Sequence, residues 1–295
     1  MRGEYGVGIR IAVPSKGRLR EPVLRLLEAA GIEPLYSPDA TRALIVPTNW
    51  DNVSLVYVRP EDIPAIVSAG GAELGITGLD YIEEHGGEGL EIVEGLGIGR
   101  ARLVVAVPEE APVESIRDLP DGVRVATKFV NIARRFFESH GVRARIIRIT
   151  GSAEAMPRLG VADAILDVSS TGTTLRLHGL RVIAEVMRTE AKLIRGSHVD
   201  PQDPLVEVIV EAVRSVLRAR GYKLVLMNVP EEVLEQVVEV LPSMSGPTIA
   251  RVEGPRPMWE VITVVPEDRL AHVLVEARKR GARDILVLSV DRVIP

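Results

Sequence analysis

The sequence of 295 residues contains no cysteine. Without a thiol, the chain has no disulfide, no cysteine nucleophile and no zinc site built on cysteine. Aromatic residues are scarce as well, with three Phe, five Tyr and two Trp. So few rings do not provide the stacking platform on which proteins bind single-stranded nucleic acid. The net charge of −5 adds no overall basic surface for a phosphate backbone, so nucleic-acid binding is not expected.

Long hydrophobic segments are also missing. No apolar run approaches the length of a membrane span, and Met1–Gly8 has neither the basic nor the apolar segment of a secretion signal. We therefore expect a cytoplasmic protein that makes no membrane contact. The 46% of apolar residues are enough to fill proper cores, and the length allows two or three modules.

Several widespread catalytic motifs are absent. The P-loop, the His-Glu-x-x-His zinc motif and the Gly-x-Ser-x-Gly elbow do not occur. Gly95–Gly99 alternates glycine with apolar residues, but it precedes a predicted strand, Arg102–Val107, whereas a dinucleotide fingerprint joins a strand to a helix. The five histidines are scattered without ligand spacing, which favours helix-end or surface positions for them. Phosphate-binding turns are therefore the remaining source of chemistry.

Short apolar runs alternate with helical periodicity over most of the chain, which predicts an α/β fold. Three predicted strand-to-helix turns are polar, namely Lys16–Arg18, Gly78–Asp80 and Asp167–Thr174. Open α/β sheets bind ligands at the carboxyl ends of their strands, so we expect the turns to face a common crevice. In the simpler interpretation the basic residues are solvated and Asp80 only caps its helix.

The segment Asp167–Thr174 has the composition of an anion site. Its hydroxyl side chains are short and Gly172 can adopt a positive φ, so successive N–H groups can converge on one oxyanion. The helix that follows adds its N-terminal dipole to the same field. A plain turn with a threonine cap is the alternative. Asp167 favours the anion site only if a metal ion or sugar hydroxyls separate its carboxylate from the phosphate.

Other segments carry structural predictions. Arg59 directly follows the predicted strand Val53–Val58, where a surface ion pair is the simple interpretation. Asn131 is predicted to be the N-cap of a helix, and Val206–Val213 is predicted to be a strand. From Gly221 the pattern reads β-α-β-β-α-β, which is the plan of a separate ferredoxin-like domain.

Four motifs, in this order, resemble those of the ATP phosphoribosyltransferase family: PSKGRL at 14–19, GITGLD at 75–80, VATKFVN at 125–131 and ADAILDVSSTGTT at 162–174. Leu241-Pro242, Pro247-Thr248 and Gly281-Ala282 resemble the C-terminal domain of the long form of this family. The resemblance covers nearly the whole chain after the first eight residues. One departure from many other phosphoribosyltransferases is the pair Asp167-Val168, where those enzymes have two adjacent acids.

The resemblance implies an α/β fold with a two-lobed, periplasmic-binding-protein-like catalytic region and a C-terminal ferredoxin-like α+β domain. We expect the first lobe at residues 1–102 and 186–218, and the second lobe, with the phosphoribosyl-binding loop, at residues 103–185. The ferredoxin-like regulatory domain is expected at residues 219–295. The chain would cross between the lobes twice.

The resemblance also implies an activity, the first step of histidine biosynthesis. N1 of ATP would attack C1 of phosphoribosyl pyrophosphate with inversion, and pyrophosphate would leave with Mg²⁺ present. A ring nitrogen lone pair needs no general base, which agrees with the absence of a nucleophile–base pair in the polar turns. Mg²⁺ is expected to be held mainly by the substrate phosphates near Glu154 and Asp167, with no direct protein ligand.

Matching positions give the expected site residues. The donor site comprises Glu154, Asp167, Ser169, Ser170, Thr171, Gly172, Thr173 and Thr174. The site for ATP and the inhibitor AMP comprises Lys16, Gly17, Arg18, Gly78, Leu79 and Asp80. Residues expected to act in catalysis are Lys16, Arg18, Arg59 and Asp167. Histidine, a feedback inhibitor in the family, would bind near Asn228, Met244 and Thr248.

The resemblance further implies a homo-oligomer that ranges from dimer to hexamer. The rival hypothesis is a non-catalytic protein that uses the same two-lobed fold to clamp a small anion. The missing secretion signal argues against a periplasmic version of that hypothesis.

Overall fold

The computed structural model describes residues 8–37, 43–242, 246–254 and 256–294. Contacts divide the chain into two compact units, residues 1–210 and 211–295. The first unit contains two sheets and the second unit contains one. Within the described residues, no helix is both long enough and apolar enough to cross a bilayer.

The first lobe is built on a six-stranded sheet. Its strands are β1 (Ile9–Pro14), β2 (Ile45–Pro47), β3 (Val53–Val58), β4 (Leu74–Gly78), β5 (Leu90–Gly95) and β11 (Ala191–Gly196), in the order β2-β3-β1-β4-β11-β5. Among its described residues, the helices are α1 (Arg20–Ala29), α2 (Ile63–Ser68) and α3 (Leu79–His85). The central strand β1 runs parallel to both β3 and β4. Central parallel strands are covered on both faces, which is why β1 is apolar at every position except Arg10.

The second lobe is built on a five-stranded sheet. Its strands are β6 (Ala101–Pro108), β7 (Arg124–Thr127), β8 (Arg145–Arg148), β9 (Ala164–Ser169) and β10 (Leu180–Thr189), in the order β10-β6-β9-β7-β8. Its helices are α4 (Val130–Ser139) and α5 (Thr173–Leu177). Phe129 and Phe137, both almost fully buried, lie in the core between sheet and helices. Strand β7 runs parallel to β8 and β9, so these three strands end at one edge.

The chain crosses between the lobes twice. The first crossing joins β5 to β6 and the second joins β10 to β11. The two crossings are hydrogen-bonded to each other, because the Leu96 N–H donates to the Ala191 carbonyl and the Ala191 N–H donates to the Ile98 carbonyl. The predicted two-lobed architecture with two crossings is therefore confirmed.

The lobe boundaries differ in detail from those expected at residues 102/103 and 185/186. Both positions fall inside strands of the second lobe, since β6 begins at Ala101 and β10 continues to Thr189. Strands β5 and β11 were not predicted. Strand β5 is half exposed at the edge of its sheet, and β11 is a short apolar stretch interrupted by Lys192 and Arg195, so neither has a clear period of two.

The predicted strand Val206–Val213 is wrong. This segment belongs to helix α6 (Pro204–Ala219). Its buried residues Val206, Ile209, Val210, Val213 and Val216 recur at helical spacing. The abundance of β-branched residues favoured a strand, but the side-chain period of the buried positions decides the structure.

The second unit has the predicted β-α-β-β-α-β order. Its elements are β12 (Tyr222–Pro230), α7 (Leu234–Val238), β13 (Thr248–Val252), β14 (Met258–Pro266), α8 (Glu267–Lys279) and β15 (Arg283–Ser289). The strand order β13-β14-β12-β15 is that of a ferredoxin-like domain, which confirms the prediction. The compact unit begins at residue 211, inside α6, whereas the expected domain begins at residue 219.

Candidate active site

The polar turns of the first lobe lie at one edge of its sheet. Strands β1, β3 and β4 are parallel, so the segments after Pro14, Val58 and Gly78 emerge on the same side. Lys16–Arg18, Arg59 and Leu79-Asp80 follow these strand ends directly. Two of the three polar turns expected to share a crevice, Lys16–Arg18 and Gly78–Asp80, therefore lie at this edge, and the third, Asp167–Thr174, follows β9 of the other sheet.

The basic residues of this edge differ in their contacts. Lys16 and Arg59 are exposed, and Arg59 has a weak ion pair with Glu61 at 4.0 Å. Gly17 has a φ of +81°, which turns the chain into α1. Arg18 is anchored, because its guanidinium donates to the Gly99 carbonyl and lies 3.5 Å from an Asp80 oxygen. The glycine series Gly95–Gly99 thus lies in the first crossing, where Gly99 accepts from Arg18.

Asp80 is fully buried at the junction of the lobes. Its Oδ1 accepts a hydrogen bond of 2.7 Å from the Thr189 hydroxyl, which in turn accepts from the Asp80 N–H at 3.1 Å. A Cβ on Gly78 would collide with this carboxylate, so only glycine fits before Leu79. The Leu79 N–H donates to the Glu190 carbonyl at 3.0 Å. Asp80 therefore ties the first lobe to the second crossing.

The phosphate-type loop lies at the carboxyl end of β9. Gly172 adopts a φ of +76° and precedes the first residue of α5, as the anion-site interpretation requires. The Thr171 hydroxyl donates to the Thr173 hydroxyl at 3.0 Å, which draws the loop into a compact turn. Ser170, Thr171, Thr173 and Thr174 are exposed, so their hydroxyls and the first N–H groups of α5 face solvent. The loop has the donors of an oxyanion cradle.

Asp167 lies at the base of this loop and is partly buried. Burial raises the pKa of its carboxyl group, and the carboxylates of Glu154 and Asp80 act in the same direction. The Val168 N–H, at 2.8 Å from Oδ1, and the Lys128 ammonium oppose that rise. Glu154 is half-buried in a single 3-10 turn, Ala153–Ala155, whereas a helix to Leu159 was expected. In the structure, the charge of Glu154 thus influences the pKa of Asp167, and these are the two carboxylates predicted to bind the ribose.

From the sequence, Lys128 is a candidate ligand position because it lies between a predicted strand and a predicted helix, whereas Tyr81 has no predicted role. The Lys128 ammonium donates to the Tyr81 hydroxyl at 3.1 Å, which joins the second lobe to α3 of the first. Burial disfavours the charged ammonium, but the Tyr81 oxygen and the Asp167 and Asp80 carboxylates outweigh it and raise the pKa of Lys128. Burial also raises the pKa of the Tyr81 hydroxyl. The position of Lys128 at the end of β7 was the available sequence signal.

The predicted N-cap role of Asn131 is wrong. Helix α4 begins at Val130, so Asn131 lies in its first turn. Its N–H and that of Ile132 donate to the Glu84 carboxylate at 2.9 and 3.0 Å, and its side-chain amide donates to the Glu84 carbonyl at 2.9 Å. A residue of the other lobe therefore caps the helix, which the local sequence does not reveal.

A cavity of ≈ 420 Å³ lies elsewhere in the second lobe. Its lining includes Phe137, Gly141 and Ile146, near the C-terminal end of α4 and strand β8. This position is remote from the loop at the carboxyl end of β9, so the cavity does not belong to the candidate site.

The described residues contain no cluster of three or more histidine, aspartate or glutamate side chains that could hold a metal ion. The Asp167 and Glu154 carboxylates can accept hydrogen bonds from waters that a substrate-bound Mg²⁺ carries. Mg²⁺ commonly binds through substrate phosphates and waters with few protein oxygens. The residues present therefore fit a magnesium ion carried by the substrate.

The expected effector residues lie in the ferredoxin-like sheet. Asn228 is on β12 and its amide donates to Asp284 at 3.1 Å, while Thr248 is exposed on β13. Both belong to the sheet face opposite the buried residues Val225, Met227 and Val229. Met244 lies outside the described residues.

Comparison with known proteins gives a consistent family assignment. The family model described as ATP phosphoribosyltransferase matches residues 59–215, and the model of the HisG C-terminal domain matches residues 219–292. An ATP phosphoribosyltransferase of Ignicoccus hospitalis is 52% identical over 97% of this chain and 100% of its own length. One of Pyrobaculum aerophilum is 48% identical over 96% of this chain and 99% of its own length.

A solved structure supports the same assignment for the fold. The ATP phosphoribosyl transferase (HisG:HisZ) complex from Thermotoga maritima contains a chain that is similar to this one with a TM-score of 0.61 and 26% identity. The match covers 70% of this chain and 96% of that chain. The relatives are similar over nearly the full length of the chain, and both family models and the two-lobed fold agree with them. This chain therefore belongs to the ATP phosphoribosyltransferase family.

Proposed function

We propose that the crevice between the two lobes is where this enzyme joins N1 of ATP to C1 of phosphoribosyl pyrophosphate. The family is that of the pentosyltransferases which open histidine biosynthesis. The observation that carries the proposal is the meeting of the polar strand ends at the two crossings, with Asp80 bonded to Thr189 there. A crevice of this kind can hold two phosphorylated ligands side by side.

The donor site is proposed at the end of β9. Ser169–Thr174 would bind the 5-phosphate through hydroxyls and N–H groups, as the positive φ of Gly172 supports. Asp167 and Glu154 would accept hydrogen bonds from the ribose hydroxyls. Because the two carboxylates are close enough to raise the pKa of Asp167, sugar hydroxyls between them would relieve their repulsion.

The nucleotide side is proposed at the first lobe. Lys16, Arg18 and Arg59 would face pyrophosphate or the phosphates of ATP, since all three are exposed cations that follow strand ends. Gly78 and Leu79 would position the second nucleotide through backbone contacts. The Asp80 carboxylate is already engaged by Arg18 and Thr189, so its part would be to hold that turn in place.

Charge stabilisation rather than proton transfer would drive the reaction. The ring nitrogen attacks with its own lone pair while the C1–oxygen bond to pyrophosphate breaks, so no general base is required. Mg²⁺, when bound to the substrate phosphates near Glu154 and Asp167, supplies positive charge for the leaving group. Each preorganised donor to the developing charge is worth roughly 100- to 1,000-fold in rate.

The direct experiment mixes the pure protein with ATP, phosphoribosyl pyrophosphate and Mg²⁺ and follows formation of phosphoribosyl-ATP by ultraviolet absorbance. We expect product, and we expect none when a chelator removes the metal. Tight binding of either ligand without product under several conditions would support the rival anion-clamping protein instead.

Regulation belongs to the same proposal. Histidine would bind near Asn228, Met244 and Thr248, and AMP would compete at the ATP site. Inhibition curves for the intact chain and for Thr248→Ala test the first point, with a weaker effect of histidine expected in the variant at unchanged basal rate. Cytoplasmic location and assembly from dimer to hexamer are also proposed, and light scattering with and without histidine measures the assembly.

A further inference from the structure

Lys128 occupies a central position in the second lobe. It follows β7 directly, and β7 lies between β9 and β8 in the sheet. Strand β9 carries Asp167 near its end, and the chain after β8 leads to Glu154. The three strands are parallel, so Lys128 emerges between the segments that hold the two proposed ribose carboxylates.

The ammonium of Lys128 is held by aromatic neighbours. It donates to the Tyr81 hydroxyl at 3.1 Å and lies 5.3 and 5.0 Å from the ring centroids of Tyr81 and Phe129. Those two rings are in contact, with centroids 5.6 Å apart. Since Tyr81 belongs to α3 of the first lobe and Phe129 to the second lobe, both lobes fix the position of the cation.

The charges around Asp167 are otherwise negative. Glu154 and Asp80 raise the pKa of its carboxyl group, whereas Lys128 and the Val168 N–H favour its ionised form. Lys128 in turn interacts with Tyr81, Asp167 and Asp80. Tyr81 faces Lys128, Asp80 and Glu61. Continued by two residues, the parallel register of β7 and β9, in which Ala126 lies opposite Ile165, places Lys128 opposite Asp167.

We propose that Lys128 is a positioning residue for the donor site: it supplies the protein's own counter-charge to Asp167, and Tyr81 of the opposite lobe holds it there. This inference rests on the proposed function, in which ionised Asp167 binds the ribose. The chain lacks the second adjacent acid of many phosphoribosyltransferases, and here a protein cation lies beside the single one. The positive charge that balances Asp167 at the ribose then depends on the contact between Lys128 of the second lobe and Tyr81 of the first lobe.

The proposal makes a prediction about pH. Loss of an opposite charge a few ångströms away raises a carboxyl pKa by about one unit or more. In Lys128→Met, Asp167 would therefore protonate at a higher pH than in the parent enzyme. The variant's defect in kcat/KM for phosphoribosyl pyrophosphate should then grow as pH falls, and we expect the ratio of variant to parent to be about tenfold lower at the acid end than at pH 8.

Three further variants complete the experiment. Lys128→Arg keeps the charge and should keep a nearly constant ratio across pH. Tyr81→Phe removes only the hydroxyl that holds the ammonium and should give a smaller change in the same direction. Lys279→Met removes an exposed lysine paired with Glu276 in the other unit and should match the parent at every pH. Circular dichroism at each pH checks the fold.

Two results would overturn the proposal: a loss of kcat/KM in Lys128→Met that is the same at every pH, or a pH profile that Lys128→Arg does not restore. A purely structural role of Lys128, or its direct contact with a phosphate, would not shift the pKa of Asp167. If Lys128→Met does not fold, Tyr81→Phe decides, and a pH-independent ratio there contradicts the proposal. An inactive parent enzyme would instead refute the proposed function, so the two failures are distinguishable.

Discussion

Asp80 and Asp167 are both aspartates at the carboxyl end of a strand, yet they differ in burial and in hydrogen-bond partners, and so we expect them to have different roles. Asp80 is fully buried and engaged by Thr189 and Arg18. Asp167 is less buried, it accepts a hydrogen bond from the N–H of its neighbour Val168, and its ionised form is favoured by Lys128. The Asp80 carboxylate therefore has a structural role, whereas the Asp167 carboxylate can still accept hydrogen bonds from a ligand.

Asp167→Ala should reduce turnover by at least about 100-fold while the protein stays folded, because the variant would lose the proposed ribose contact, whereas the hydrogen bond that Asp167 accepts is local, from the Val168 N–H. Steady-state kinetics and thermal unfolding measure the two effects. Asp121→Ala, which removes an exposed ion pair with Arg143, is the control and should change neither. Unchanged activity in Asp167→Ala would remove this residue from the site.

Asp80→Ala should behave in the opposite way and lower stability first. The change leaves the Thr189 hydroxyl without its acceptor and Arg18 without its carboxylate, at a cost of about 2–3 kcal/mol in the free energy of unfolding. Denaturant titration measures it, and Thr189→Val is expected to cost about 1 kcal/mol as the matched partial loss. An unchanged free energy of unfolding in Asp80→Ala would show that the contacts of Asp80 with Thr189 and Arg18 do not stabilise the fold.

At the scale of elements, α3 and α4 make the most specific contact between the lobes. The Glu84 carboxylate satisfies the N–H groups of Asn131 and Ile132 at the start of α4. Arg135 donates to the Glu83 carbonyl from the same helix at 2.9 Å. A carboxylate at a helix N-terminus accepts hydrogen bonds from the free N–H groups and interacts favourably with the helix dipole. A residue of the first lobe therefore caps a helix of the second lobe.

Glu84→Ala should cost about 1 kcal/mol of stability and should speed amide hydrogen exchange at Asn131 and Ile132. Exchange followed by mass spectrometry, with peptides that cover residues 130–139, gives the local readout. Glu83→Ala is the control on the same helix, because its side chain has only an exposed pair with Arg135 at 3.7 Å, and it should leave exchange unchanged. Equal effects of both variants would contradict the capping role.

Element prediction succeeded where the side-chain pattern was local. The strand-loop-helix at Ile9–Ala29 follows from apolar spacing, and the positive φ of Gly172 follows from its place among short hydroxyl residues. It failed at Val206–Val213, where β-branched composition outweighed the helical period, and at Asn131, whose cap is supplied by a distant residue.

At the scale of the whole molecule, the separate contact unit formed by residues 211–295 bears on regulation. Deletion of Gly221–Pro295 should abolish inhibition by histidine and retain turnover, because the proposed active-site residues all lie in the first unit. Histidine titration against the truncated and full-length chains measures this, after light scattering confirms a soluble product. Inhibition that persists would locate the effector site outside the ferredoxin-like domain.

The sequence by itself determined the alternation of strand and helix over most of the chain, the polar turns at strand ends and the ordered motifs that resemble one enzyme family. These features depend on neighbours within a few residues, such as the alternation of strand and helix or the hydroxyl loop around Gly172. Only the tertiary structure decided that Asp80 is engaged by Thr189, that Glu84 caps the other lobe's helix and that Lys128 lies among the site carboxylates. The hydrogen-bonded pairs Asp80–Thr189, Glu84–Asn131 and Tyr81–Lys128 join residues 47 to 109 positions apart, and no local pattern encodes them.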